Sequence, residues 1–254
     1  MSRVIVITGA SRGIGQSAAL LAGARGWSVG VNYASNASAA DETVAAVQAA
    51  GGKAIAIQGD VSDEAAIIAL FDATEKAFGK IDGVVNNAGI VAPGSMLADM
   101  DIARMKRIFD INVLGAYLCA REAVRRMSTS RGGKGGSLVN VSAAARLGGS
   151  NEYVDYSGSK GAIDTLTIGL SKELGKDGAR VNAIRPDLIE TDIHASGSKP
   201  DRAQVLGVQT PIGRPGTADE VGNDRVAVVG CVVVCDGGDS GCVGRPVSVR
   251  SCCA

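Results

Sequence analysis

Tyr156 and Lys160 stand four positions apart in the segment YSGSK, and this spacing predicts neighbouring side chains on one face of a helix. A phenol has an ordinary pKa of about 10 and is a poor acid or base at neutral pH. A nearby ammonium favours the phenolate, so we expect Lys160 to lower the pKa of Tyr156, towards the range where proton transfer is efficient. The pair alone also fits a solvated helix surface, so its meaning depends on the elements around it.

A glycine-rich segment near the N-terminus could hold a nucleotide. Val4 to Gly15 reads VIVITGASRGIG, in which the β-branched run predicts a strand buried on both faces. Glycine permits a tight turn and close backbone approach to a pyrophosphate, and the N-terminus of the following helix attracts phosphates. The glycine spacing alone also fits an ordinary strand-to-helix turn. The strand before it and the helix after it favour nucleotide binding.

The order of these segments resembles a known family. TGASRGIG from Thr8, NNAG from Asn86, then Asn112, Ser142 and the Tyr156–Lys160 pair together are similar to the short-chain dehydrogenase/reductase family, over about residues 3 to 222. The resemblance is nearest to bacterial members described as glucose-1-dehydrogenase-like or 3-oxoacyl-carrier-protein-reductase-like. It implies an α/β fold: a single Rossmann-type domain with a doubly wound parallel sheet and helices on both faces.

The pattern of apolar segments predicts the same architecture from the residues alone. Alternating strands and helices require parallel pairing through right-handed crossovers, and ligands bind beyond the carboxyl ends of such strands. We predict strands near 3–8, 28–33, 53–58, 82–86, 136–142 and 179–185. We predict helices near 13–25, 38–50, 63–79, 101–128 and 155–176.

Length and composition agree with one domain. The chain has 254 residues, with 26 basic and 26 acidic side chains, so no net positive charge points to nucleic acid or an acidic membrane. No apolar run is long enough to span a bilayer, and the N-terminus reads as a first strand rather than a secretory signal. We expect a cytoplasmic protein whose domain covers residues 1–222, including a substrate loop at 187–215. The lone His194 in that loop is most simply a surface residue.

The family resemblance assigns four catalytic roles. Tyr156 would donate a proton to a substrate carbonyl, or remove one from an alcohol, while Lys160 would lower the pKa of Tyr156 and hold the nicotinamide ribose. Ser142 would hydrogen-bond the substrate oxygen. Asn112 would anchor a water that links Lys160 to solvent. Taken singly, Ser142 also fits a strand-end cap and Asn112 a polar residue inside a helix.

The cofactor preference follows from charge at the end of the second predicted strand. An NAD site usually carries a carboxylate there, but VNYAS at 31–35 has none, and Arg12 could pair with a 2′-phosphate; Arg12 could also be a solvated loop residue. We therefore predict NADP(H) over NAD(H). The Asp60–Val61 pair would line the adenine, or Asp60 would cap the next helix. The predicted cofactor-binding residues are Gly9, Ser11, Arg12, Gly13, Ile14, Gly15, Asn32, Asp60, Val61, Asn87, Ala88, Gly89, Tyr156, Lys160, Pro186, Ile189 and Thr191.

One departure from the family pattern lies after the sixth predicted strand. The family has Pro-Gly there, whereas this chain has Pro186 followed by Asp187. The Asp187 side chain adds a β-carbon and a negative charge where backbone usually runs close to the cofactor, and it could repel the phosphates. Two functions therefore remain open. The first is an NADP(H)-dependent enzyme that acts on a small carbonyl or alcohol, and the second is a cofactor-binding relative with little or no turnover.

A second departure covers residues 223–254. Five of the six cysteines lie there, without the C-x-x-C spacing typical of zinc sites, so we expect no metal; a disulfide framework would not suit a cytosolic enzyme. Back-translating 230–245 with legitimate codons and reading one base later gives DASSYVTGATLDVSGG, which resembles the missing family C-terminus. A shifted reading frame is our explanation. The resemblance implies a homo-tetramer, which this altered tail would impair by leaving an edge strand poorly covered.

Overall fold

Strands and helices alternate along residues 2–222, which, together with the backbone of residues 233–235, are described by a computed structural model. The strands up to residue 184 are β1 (Val4–Ile7), β2 (Ser28–Tyr33), β3 (Lys53–Gln58), β4 (Gly83–Asn86), β5 (Gly136–Val141) and β6 (Ala179–Ile184). The helices over the same stretch are α1 (Gly13–Ala24), α2 (Ala37–Ala49), α3 (Glu64–Phe78), α4 (Ile102–Phe109), α5 (Ala116–Met127), α6 (Ala145–Gly148) and α7 (Val154–Leu174).

The later elements are short. They are β7 (Ile189–Glu190), α8 (Ile193–Ser196), α9 (Arg202–Gly207), β8 (Gly216–Thr217), α10 (Ala218–Gly222) and β9 (Val233–Cys235). Strands β7 and β8 pair with each other as a separate two-stranded sheet. The predicted substrate loop at 187–215 therefore contains α8 and α9, with β7 near its start and β8 directly after it.

The main sheet has the order β3-β2-β1-β4-β5-β6-β9. The first six strands pair in parallel, which confirms the predicted doubly wound sheet. At the edge, β9 pairs antiparallel with β6. The remaining expectations for the C-terminal segment, including its reading frame and its cysteines, lie outside the described residues.

Both faces of the sheet are covered because successive residues of a buried strand point to opposite sides. In β1, Val4 and Val6 pack with Phe71 of α3 and other residues of one apolar cluster. Ile5 and Ile7 pack in a second cluster that includes residues of α1 and α2. All four β1 side chains are buried. This strand therefore runs through the centre of the core and ends at the glycine-rich loop.

Chain order reverses between β1 and β4. Strand β1 pairs with β2 on one side and with β4 on the other, so the crevice beyond their carboxyl ends is a topological switch point. The glycine-rich loop follows β1, and Asn87 follows β4. The fold therefore brings these two predicted segments to the same crevice.

The helix predicted over 101–128 is continuous from Ile102 to Met127, but its middle is not α-helical. A π-helical turn, Asp110–Gly115, separates α4 from α5. Within that turn the Asn112 side chain exchanges hydrogen bonds with the backbone of Ile90. Such π turns often occur at functional sites, and the contact depends on a residue 22 positions away, which local periodicity does not reveal.

Within the described part of the chain, no helix combines the length and apolarity needed to cross a membrane.

Candidate active site

Tyr156 and Lys160 face one another in the first turns of α7. The Lys160 Nζ lies 5.7 Å from the centre of the Tyr156 ring and donates a hydrogen bond of 2.8 Å to the carbonyl oxygen of Val141, the last residue of β5. Both side chains line a cavity of about 610 Å³. The helix thus brings the two groups together at the carboxyl edge of the sheet, as their spacing predicted.

Burial dominates the proton affinities of this pair. Although part of Tyr156 faces the cavity, the protein around it raises the pKa of the phenol to about 12, with the charge of Arg202 opposing the rise. Burial lowers the pKa of Lys160 to about 8, and the carboxylate of Asp164 opposes that fall. The expected lowering of the Tyr156 pKa by Lys160 is therefore wrong for this structure, because loss of hydration raises the pKa and the opposing charge is that of Arg202 rather than of Lys160.

Ser142 comes directly after β5 and lines the same cavity. Its hydroxyl donates a hydrogen bond of 3.1 Å to the backbone carbonyl of Lys160. The side chain is 3% exposed, so its position is set by the contact between β5 and α7. Ser142 therefore stands at the end of a strand and also lines the cavity, so its two interpretations are compatible.

Asn112 is buried beneath the cavity and does not line it. Its amide donates to the Ile90 carbonyl at 2.9 Å and to the Ser159 hydroxyl at 3.1 Å, while its oxygen accepts from the Ile90 amide at 2.8 Å. A β-carbon built on Gly89 would meet the Asn112 Oδ1 at 3.3 Å and the Lys160 Nζ at 3.4 Å. Asn112 therefore joins the segment after β4 to the catalytic helix, close to Lys160.

The glycine-rich loop depends on glycine at three positions. Gly9 and Gly13 have φ values of 61° and 57°, which side-chain-bearing residues rarely adopt. A β-carbon on Gly15 would lie 2.4 Å from the Gly9 carbonyl oxygen. Gly15 does not line the cavity, and the lack of a side chain there allows α1 to pack closely against the loop.

Asparagine side chains hold this loop to the neighbouring strands. The Asn32 oxygen accepts a hydrogen bond from the Gly9 amide at 3.2 Å, and the Asn32 amide donates to the Gly59 carbonyl at 3.0 Å. The Asn87 side chain donates to the carbonyls of Thr8 and Gly9 at 2.9 and 3.1 Å. These bonds connect the ends of β1, β2, β3 and β4, so the loop is rigidly placed.

Asp60 follows β3 and forms an ion pair of 2.9 Å with Arg107 of α4. Partial burial acts to raise the pKa of Asp60, but hydrogen bonds from Ser62 and Arg107 prevail and lower it. The alternative that Asp60 caps the next helix is wrong, because the cap of α3 is Asp63, which accepts from the Ala65 amide.

The substrate loop closes the other side of the cavity. Arg12 of the glycine-rich loop lies 3.8 Å from Asp192, and both side chains are largely exposed. His194 lines the cavity, and its Nε2 is 2.9 Å from the Ile189 carbonyl oxygen. The expectation that His194 is a surface residue is therefore wrong. Asp187 also lines the cavity, and burial raises the pKa of its carboxyl group.

Most of the predicted site is assembled in this one cavity. Apart from Gly15 and Asn112, every predicted residue lines it: Gly9, Ser11, Arg12, Gly13, Ile14, Asn32, Asp60, Val61, Asn87, Ala88, Gly89, Ser142, Tyr156, Lys160, Pro186, Ile189 and Thr191.

Comparison with known proteins gives the family. The family model described as short chain dehydrogenase matches residues 3–202. The chain belongs to the short-chain dehydrogenase family. It is 46% identical to the uncharacterized oxidoreductase YgfF of Escherichia coli (strain K12), over 86% of this chain and 89% of that protein. Glucose 1-dehydrogenase 2 of Bacillus subtilis (strain 168) is 33% identical, over 93% and 94% of the two chains.

The fold is also that of a solved relative. The crystal structure of levodione reductase superimposes on this short-chain dehydrogenase with a TM-score of 0.81 and 28% identity, over 89% of this chain and 93% of that one. Members of the family are oxidoreductases that act on alcohol or carbonyl groups and bind NAD(P)(H). The protein is therefore an NAD(P)-dependent oxidoreductase, and these relatives do not support the alternative of a protein without turnover.

Sequence reasoning missed two parts of this dehydrogenase site. The Thr8 hydroxyl accepts hydrogen bonds from the amides of Asn87 and Ala88 at 2.9 and 3.0 Å, which fixes the crevice between β1 and β4. In the substrate loop, Arg202 stacks on Tyr153, with 4.5 Å from the guanidinium carbon to the ring centre. Thr8 stood inside a recognised motif, which was a usable signal. The contact of Arg202 with a residue 49 positions earlier has no local signal.

Proposed function

We propose that this protein is an NADP(H)-dependent oxidoreductase that interconverts a carbonyl and a secondary alcohol, with Tyr156 as the general acid and base. One observation carries the proposal: Tyr156, Lys160 and Ser142 line the same cavity as the glycine-rich loop. A proton-transfer group and a phosphate-binding loop in one cavity suit a reaction in which a proton and a hydride reach the same substrate.

The residues of the cavity fit a nicotinamide dinucleotide. Gly9 and Gly13, with positive φ values, leave backbone where other residues would carry a side chain, and α1 directs its N-terminus at that space. Residues after β2 and β3 would hold the adenosine half, and Lys160 would hold the nicotinamide ribose. When bound, the cofactor supplies or accepts the hydride.

The chain's own groups handle the proton. In reduction, the Tyr156 hydroxyl donates its proton to the substrate oxygen as the carbonyl carbon becomes a carbinol, and in oxidation the phenolate takes that proton back. The Lys160 ammonium stabilises the phenolate left behind. The Ser142 hydroxyl, which donates to the Lys160 carbonyl in this structure, would turn to donate its proton to the substrate oxygen and stabilise the developing negative charge. Asn112 holds the segment after β4 close to Lys160, and a water that Asn112 anchors would link Lys160 to solvent.

The preference for NADP(H) rests on charge at the end of β2. Residues 31–35 include no carboxylate, and Arg12 lines the cavity with its side chain largely exposed. The 2′-phosphate would draw Arg12 away from Asp192. We expect NADPH to bind more tightly than NADH. Arg12→Gln should lower the ratio of the NADH to the NADPH dissociation constant about tenfold, since charge-assisted hydrogen bonds contribute roughly 1.5–3 kcal/mol. Equal dissociation constants for the two cofactors in the unmodified protein would contradict the preference.

The redox assignment is tested by oxidation of NADPH against a panel of ketones, sugars and acyl thioesters. Tyr156→Phe should lower kcat by a factor of about 10² to 10⁴, the usual contribution of general acid–base catalysis, and should leave cofactor binding measurable. Turnover by Tyr156→Phe equal to that of the unmodified protein would refute the role of the tyrosine. Binding of cofactor without turnover of any substrate would refute the function.

A homo-oligomer is part of the same proposal. Exposed apolar side chains gather on α4, the π-helical turn and α5, namely Ile102, Phe109, Leu114 and Tyr117. Large exposed apolar side chains on successive turns of one helix would suit protein–protein contact, and the family resemblance implies a tetramer. Light scattering on the purified protein gives the mass: we expect an assembly weakened by the altered C-terminal segment, and a stable tetramer would contradict that weakening. A cytoplasmic location stays a prediction from the sequence.

A further inference from the structure

Tyr153 forms a platform for the substrate loop at the start of α7. Its ring is buried, its hydroxyl donates to the carbonyl of Gly197 at 3.4 Å, and the Arg202 guanidinium lies 4.5 Å above the ring centre. Tyr153 is the N-cap residue of α7 and precedes Tyr156 by three residues. Burial raises the pKa of Tyr156 and the charge of Arg202 opposes that rise, so Arg202 lies close to the proposed proton donor, and both side chains line the cavity.

Among the carboxylates of the described residues 2–222, none forms an ion pair with Arg202. Three other cations of the cavity have carboxylate partners: Arg12 with Asp192, Arg107 with Asp60, and Lys199 with Glu152. Lys199, and to a smaller extent the charge of Arg202, lower the pKa of Glu152, so this carboxylate is the nearest negative charge. Glu152 is already ion-paired with Lys199 at 2.8 Å.

The neighbouring histidine adds no negative charge and no fixed positive one. Burial lowers the pKa of His194, and the charge of Arg202 lowers it further, against a hydrogen bond with the Ile189 carbonyl. His194 is therefore neutral near pH 7. At this end of the cavity, the Arg202 guanidinium is therefore a positive charge without an ion-pair partner, to which an anion could bind.

The Arg202 guanidinium carbon lies over the Tyr153 ring, and the guanidinium N–H groups donate no hydrogen bond to the described residues, so they remain available. A guanidinium that lies on an aromatic ring uses its face, whereas its N–H donors lie in its plane. Two parallel N–H groups match the two oxygens of a carboxylate. One negative charge is enough to balance Arg202, which favours a carboxylate over a phosphate dianion.

We propose that Arg202 binds a carboxylate on the substrate, so that the protein acts on an oxo acid or hydroxy acid rather than on a neutral ketone or sugar. This inference rests on the proposed function, because Tyr156 must hold the reacting oxygen while Arg202 holds the carboxylate. Because Arg202 and Tyr156 line the same cavity, a carboxylate a few bonds from the reacting carbon, as in a 4-oxo acid, suits the site.

The test compares 4-oxopentanoate with its methyl ester, which keeps the ketone and loses the charge. We expect kcat/KM for the acid to exceed that for the ester at least tenfold. Arg202→Gln should lower this acid-to-ester ratio at least tenfold, mainly through KM for the acid, and Arg202→Lys should restore part of it, because the charge remains while the planar fork is lost. Lys176→Gln, which removes an exposed charge beyond the end of α7, should change the ratio less than about twofold.

A binding measurement separates this inference from the proposed function. In Tyr156→Phe with NADP⁺ present, calorimetry should show 4-oxopentanoate binding at least tenfold more tightly than the ester, and Arg202→Gln in that background should remove the difference. Equal binding of acid and ester, or equal loss of both in the Arg202 variant, overturns the carboxylate site. Arg202-dependent binding of the acid without turnover by the unmodified protein leaves the site standing and overturns only the redox function.

Discussion

Replacing Lys160 by methionine tests how much burial destabilises the charged form of this lysine on α7. Lys160 is 5% exposed, and its ammonium donates a hydrogen bond to the Val141 carbonyl. Methionine keeps much of the apolar stem and removes the charge. The variant should lose turnover, because Lys160 stabilises the phenolate, yet its fold should be at least as stable as that of the unmodified protein at neutral pH.

The magnitude follows from the pKa of Lys160, which burial lowers from 10.5 to about 8. At 1.36 kcal/mol per pH unit, holding this lysine charged in the folded state costs about 3 kcal/mol below pH 8. The unfolded chain keeps its proton up to about pH 10.5, so the cost disappears as pH rises from 8 to 10.5. Methionine avoids the cost but leaves the Val141 carbonyl without its donor, a loss of about 1–3 kcal/mol.

The assay is urea unfolding of the cofactor-free protein at fixed concentration between pH 7 and pH 10. We expect Lys160→Met to be more stable by about 1 kcal/mol at pH 7, and the unmodified protein to gain about 2–3 kcal/mol relative to the variant by pH 10. Lys176→Met, at an exposed position beyond the same helix, is the control and should show a constant difference over this range. A constant difference for Lys160→Met as well would refute the argument that burial sets the lysine pKa.

Three further predictions follow from the same site. Asp187→Gly should lower the dissociation constant of NADPH about fivefold, since two unit charges 4 Å apart interact by ~1 kcal/mol in water; Asp187→Asn separates charge from bulk, and an unchanged constant in both variants would contradict the repulsion. Gly15→Ala should lower Tm by several degrees, because its β-carbon would lie 2.4 Å from the Gly9 carbonyl, whereas Gly169→Ala, which meets open space on α7, should stabilise the helix; equal losses would contradict the packing argument. In the cofactor-free protein, the tyrosinate absorbance of the unmodified chain minus that of Tyr156→Phe should stay near zero up to pH 10, because burial raises the pKa of Tyr156 to about 12; a difference already present at pH 8 would mean that Lys160 dominates.

The sequence determined the fold and the membership of the site. Apolar runs alternating with helical segments specify parallel strands with crossover helices, and the predicted strands agree with β1 to β6 to within a residue or two. Short motifs at strand ends were sufficient to find the cavity residues, because the carboxyl ends of parallel strands meet at one edge. Tyr156 and Lys160 could be paired from spacing alone, since a helix fixes which side chains are neighbours.

Only the tertiary structure decided the energetics and the long-range contacts. The pKa of Tyr156 depends on how much water the folded chain removes from the phenol, and spacing along a helix carries no information about that quantity. The π-helical turn at Asn112 and the stacking of Arg202 on Tyr153 join residues 22 and 49 positions apart. Local patterns report local geometry, whereas burial and charge balance are properties of the packed molecule, which is why the site was predictable and its electrostatics were not.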